Sequence, residues 1–147
     1  MKIDSSVEAA MRVTIHAAVK RDFGMLDQQL QTLKSDELAR STTQLTLAVV
    51  GYLMTDVHGG RPTREQVTAI ATEIARAESW AQPTRDEIEV FLSKLMSGEP
   101  FGEAVPIENI IVLAFVVAAN LLSSCRRDDE KWWDYLDRAE AAIEAAG

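Results

Sequence analysis

One cysteine, two histidines, four prolines and seven glycines are all that this chain of 147 residues holds of the residue types that most often announce a framework or a reactive centre. A lone thiol, Cys125, cannot make an intramolecular disulfide, so stability has to come from a packed core. Aromatic residues make up 6% of the chain. Apolar runs are short: the longest, "IIVLAFVVAANLL" at 110–122, falls below the ~20 residues that span a bilayer and contains Asn120. The start, "MKIDSSVEAAM", carries acids at positions 4 and 8 and is not expected to act as a signal peptide. No basic patch balances the net charge of −8. The densest basic pairs are Lys20-Arg21 and Arg126-Arg127, and the second runs into Asp128-Asp129-Glu130. Binding to nucleic acid or to an anionic membrane is disfavoured on that ground. The expectation is a cytoplasmic protein.

Recognisable chemistry is equally sparse. Neither histidine has a second His four residues on, which excludes the helical zinc motif. Val13 and Thr55 stand where the Glu of a di-iron Glu-x-x-His pair would be. His16 shares a helix face with Arg12 and Lys20 and reads as solvated; His58, before Gly59-Gly60, reads as a partner for the last carbonyls of a helix. "HGGRP" (58–62) lacks the Lys-Ser/Thr of a phosphate loop, and no Gly-x-Ser-x-Gly elbow occurs. Cys125 reads as a buried or half-buried structural thiol. No cofactor is implied.

What the chain does have is alanine, twenty of them, and apolar residues at helical spacing. Alanine loses no side-chain entropy in a helix. Val7, Met11, Ile15 and Ala18 mark a first helix to about Lys20, with Ser5 or Ser6 as its cap. Asp22 caps a short second one carrying Phe23, Leu26, Leu30 and Leu33. Ser35 or Asp36 opens a third, which Gly59-Gly60 ends near His58. Helices at about 64–79 and 85–97 follow, and Gly98 and Pro100 stop the second of them. Pro106 starts a central helix over 106–125. Asp128 is the candidate cap for a last helix running almost to the C-terminus. No strand is predicted. The expected fold is all-α: a single domain over 1–147, a bundle of six to seven helices around a buried central helix at about 106–125.

Two phrases repeat at a distance of 21 residues: "RPTREQV" (61–67) and "QPTRDEI" (82–88). Each places Thr before a helix with Gln66 or Glu87 three residues on, the pattern of a capping box. Behind them Val67, Ile70, Ala71 and Ile74 match Ile88, Phe91, Leu92 and Leu95. Two copies of one helix do not make a repeat array, which needs longer units and at least three copies. A DNA-reading helix-turn-helix is disfavoured by the acidic start Arg85-Asp86-Glu87-Ile88-Glu89.

The last helix draws the functional expectation. Trp132, Leu136, Ala139 and Ile143 form its buried stripe. Trp133 instead heads an acidic face with Asp137, Glu140 and Glu144. An exposed tryptophan beside acids is the composition of a protein-binding hot spot with a basic partner; the alternative placement tucks Trp133 under the 98–106 loop against Phe101. The leading expectation is a non-enzymatic helical adaptor, regulator or inhibitor of a basic partner, with a homodimer as an option. A second reading takes Asp134, Asp137 and Glu140 as Mg²⁺ ligands of a small hydrolase, with Arg138 instead pairing Asp134 if the face is only solvated. A third places a small molecule in a pocket around 106–125.

Overall fold

A computed structural model describes residues 2–33 and 35–147. Among these residues there are seven α-helices, one short 3-10 turn and no strand. The helices are α1 (Ser5–Val19), α2 (Phe23–Gln31), α3 (Asp36–His58), α4 (Arg64–Ala77), α5 (Arg85–Ser97), α6 (Ile107–Ser124) and α7 (Trp132–Ala145).

The helix ends follow local chemistry. Asp4, not Ser5 or Ser6, caps α1, accepting from the N–H groups of Ser6 and Val7 at 2.8 and 3.2 Å. A carboxylate at that position also complements the positive end of the helix dipole. Asp22 and Ser35 cap α2 and α3 through Met25 and Leu38. Gly59 closes α3 in the left-handed region at φ 69°, where a Cβ would be strained. His58 Nδ1 lies 2.7 Å from the Met54 carbonyl oxygen, the late-carbonyl role its position suggests.

The twin phrases diverge in three dimensions. Thr63 and Gln66 form the complete box: Thr63 Oγ1 accepts from Gln66 N–H, and Thr63 N–H donates to Gln66 Oε1 at 2.8 Å. At the second phrase Thr84 Oγ1 accepts from Glu87 N–H, but the return bond is missing. The Glu87 carboxylate instead accepts from the Thr84 hydroxyl at 3.2 Å and from Asn109, at the start of α6, at 2.8 Å. Between α4 and α5 the chain makes a 3-10 turn at Ser79–Ala81 and turns back through Gln82 at φ 55°.

α6 is the centre. It packs against α1, α3, α4, α5 and α7, and ten consecutive residues, Leu113 to Leu122, are buried. It is long and apolar enough to cross a bilayer, with mean hydropathy 1.9 over 18 residues, and 61% of that stretch is buried inside the bundle. Pro106 stands just before its first residue. The two helices that follow the twin phrases, α4 and α5, pack against each other, and Val67, Ala71, Ile74, Ile88, Phe91 and Leu92 are buried. All seven helices contribute to one hydrophobic cluster.

α7 closes the bundle over α3 and α6. Its cap is Lys131 rather than Asp128, which lies in the preceding turn. Lysine has no acceptor, so only half of a box forms: Lys131 N–H donates to Asp134 Oδ2 at 2.9 Å. Tyr135 is fully buried, and its hydroxyl donates to Asp56 Oδ2 of α3 at 2.6 Å. Burial first, and then the Asp56 carboxylate, raise the Tyr135 pKa well above its ordinary value. Arg138 lies over the Tyr135 ring, 4.3 Å from the ring centroid. It pairs with Glu130 at 2.7 and 2.9 Å, not with Asp134. Asp134 is already engaged at the helix start, and the fork of Arg138 fits both oxygens of Glu130 at once. Glu130 is held down to about 2 by Arg138 and by the Arg127 N–H.

Candidate site between helices 1 and 7

Trp133 does not fold under the 98–106 loop. Phe101 stacks instead on Phe91, with ring centroids 5.6 Å apart. Trp133 is 46% exposed and stands edge-on to Trp132, their centroids 5.7 Å apart and their planes at 83°. Trp132 in turn lies 6.0 Å from the His16 ring of α1. The two indoles therefore wall one side of an open groove whose floor and opposite side come from α1: Glu8, Ala9, Arg12, Val13 and His16. These positions are one, three, one and three residues apart and so lie along one face of that helix. Val13, at 48% exposure, adds an aliphatic surface to the indoles.

The acids of α7 have partners that the helix alone does not reveal. Arg12 reaches across from α1 and donates to Asp137 Oδ1 at 2.9 Å and to Glu140 Oε1 at 3.2 Å, while Glu8 accepts from its Nε at 2.7 Å. Glu144 accepts weakly from the Ile3 N–H at 3.3 Å. The row expected as a free acidic face is thus a seam in which α1 grips α7. Asp137 remains largely exposed, but the Glu140 side chain is only 13% exposed.

Three carboxylates share one guanidinium here, so negative charge is in excess. The consequence falls on Glu140. Burial, then the Glu8 charge, push its carboxyl up to about 7; Arg12 opposes this and Asp137 adds to it. A group in that position is partly protonated near neutrality, and a cation brought alongside would favour its ionised form.

Asp134 is separated from this cluster by its bond to Lys131. Among the described residues no group of three or more His, Cys, Asp or Glu side chains is arranged to hold a metal ion. Asp134, Asp137 and Glu140 are thus divided between a helix start and an arginine rather than gathered on a common point. Cys125 is half-buried, its Sγ 3.6 Å from Ser124 Oγ.

Reasoning from the last helix alone misses five groove residues: Glu8, Ala9, Arg12, Val13 and His16. The Glu8–Arg12 spacing of four is a visible signal of an ion pair. What it faces is not visible, because Arg12 and Asp137 are 125 positions apart.

The chain matches no protein-family model, no curated protein and no solved structure.

Proposed function

We propose that this protein is a non-enzymatic, cytoplasmic binding module that works through the groove between α1 and α7. Its partner presents a basic and apolar surface, such as an amphipathic helix with Lys or Arg flanking an aliphatic stripe. One observation carries the reading: the most exposed aromatic side chain of the groove, Trp133, lies beside exposed Val13 and above a cluster with three acids to one arginine. Large rigid aromatics in such settings account for much of the energy of protein recognition. The surplus acids supply charge complementarity and fast, salt-sensitive association. The net charge of −8 acts in the same direction.

The test uses two synthetic helices with the same apolar stripe, one flanked by Lys and one by Glu. The Lys helix is expected to bind and the Glu helix not. Trp133→Ala should cost about 2 kcal/mol or more of that binding with the circular dichroism spectrum unchanged. Affinity should fall as salt rises. Equal binding of both helices, or full binding by Trp133→Ala, would end the proposal. Acrylamide quenching provides a separate check: the wild type should lose an accessible emission component when Trp133 is replaced by Phe.

A further inference from the structure

A second concavity lies between the first half of α3, the start of α6 and Phe101 of the loop before it. Its volume is about 400 Å³, within the range of small-ligand pockets. One wall is a single stripe of α3 carrying Arg40, Thr43 and Leu47. The other is Phe101 together with Ile107 and Ile110 on the first turn of α6. Ile107 is 70% exposed, the most exposed large apolar side chain among the described residues. Ile110, one turn later, is buried.

Two polar features lie on the α3 wall of this trough. Arg40 makes no ion pair among the described residues, although the chain is rich in acids. Asp36, one turn earlier on the same stripe, sits in the first turn of α3, where the helix dipole holds it. Thr43 Oγ1 is shut off from water and has no hydrogen-bond partner. Thr14, Thr46, Thr55, Thr68 and Thr72 each donate to the carbonyl four residues earlier, so helical threonines in this chain ordinarily satisfy themselves. Thr43 does not. A buried hydroxyl without a partner is a cost that a ligand could remove.

We propose that this groove binds a small amphiphile, an alkyl carboxylate of medium chain length. Its tail lies along Leu47, Phe101, Ile107 and Ile110, its carboxylate meets Arg40, and the Thr43 hydroxyl swings out to donate to it. An unpaired guanidinium at one end of an apolar trough selects a carboxylate head over a neutral one. The site is independent of the groove between α1 and α7.

The test measures binding of decanoate and decanol below their aggregation limits by calorimetry. Decanoate should bind saturably and more tightly than decanol. Arg40→Gln should weaken decanoate by about ten-fold or more and leave decanol unchanged. Ile107→Ser, at an exposed position that the fold does not need, should weaken both. Thr43→Val should raise the melting temperature of the free protein and lower decanoate affinity. No saturable binding, equal affinity for the two probes, or an unchanged decanoate affinity in Arg40→Gln would each overturn the proposal. So would a concentration-dependent dimer abolished by Ile107→Ser, since a second copy would then be what covers the groove. Undiminished decanoate binding by Thr43→Val would remove the hydroxyl from the site.

Discussion

Asn120 of the central helix donates its side-chain amide to Glu78 Oε2 at 2.8 Å, in a place where Glu78 is only 2% exposed. Trp80 Nε1 donates to the other oxygen at 2.8 Å, and Arg21 supplies Nε and Nη2 at 3.3 and 3.1 Å. One carboxylate thus ties the α1–α2 turn, the α4–α5 connection and α6 together. It also accounts for Arg21 at φ 55°, a left-handed conformation uncommon for arginine: the network holds the turn that aims its side chain.

This network predicts acid sensitivity. Burial by itself would raise the Glu78 pKa, but the donors Arg21, Trp80 and Asn120 outweigh it and hold the carboxyl below its ordinary value. A depressed native pKa means that the ionised form is favoured by folding. Its contribution is complete above the unfolded value of about 4.3 and is lost as pH falls through the native one. Glu78→Ala should cost roughly 2–4 kcal/mol at pH 7, because it leaves Asn120 and Trp80 without an acceptor and Arg21 without its partner. Glu78→Gln should cost less, and its deficit against wild type should shrink as urea denaturation is repeated from pH 7 towards pH 3. A deficit independent of pH would show that the charge of Glu78 does not matter.

Thr42 offers a change in the opposite direction. It is fully buried in α3, and its Oγ1 has no hydrogen-bond partner. Thr42→Val keeps the shape and removes the hydroxyl. It should stabilise the protein by about 1 kcal/mol, read as a higher urea midpoint with an unchanged slope. A loss of stability would mean that the hydroxyl is satisfied in solution.

Glu140 predicts a pH dependence of opposite sign to that of Glu78. Its native carboxyl is raised to about 7 by burial and by Glu8, with Asp137 adding and Arg12 opposing, against about 4.3 in the unfolded chain. Ionisation is therefore penalised in the native state. The destabilisation grows as pH climbs from about 4.3 to 7 and is complete above that. Glu140→Gln should accordingly be more stable than wild type at pH 8, with the difference closing by pH 4. A difference that stays constant across that interval would remove Glu140 as the group responsible.

The helices were legible because their signals are local. Asp22, Ser35, Thr63 and Thr84 each cap the helix that follows within three residues. The periodicity of Val67, Ala71 and Ile74 and of Ile88, Phe91 and Leu92 marks faces that are indeed buried. The cap of α7 was less legible: "RRDDEKWW" offers Asp128 as the candidate, yet the helix opens at Trp132 after Lys131, and Glu130 pairs with Arg138. The candidate groove was half legible. Trp133 and its acids are on one helix, but their counter-ion Arg12 is not.

The amino-acid sequence by itself therefore determined the all-α class, a helix count of six to seven, most of the helix ends and the burial of α6, since caps, glycine stops and apolar periodicity act over a few residues. Tertiary structure alone decided which charges meet. Asp56 with Tyr135, Glu78 with Arg21 and Asn120, and Arg12 with Asp137 and Glu140 are separated by 79, 57, 42, 125 and 128 positions respectively. A carboxylate finds such a partner only when two helices have already been brought together by their apolar faces, and nothing in its own neighbourhood encodes which helix that will be. The same step broke the symmetry of the twin phrases: Gln66 had no competing partner and closed its box, whereas Glu87 met Asn109 of α6 and left its box open.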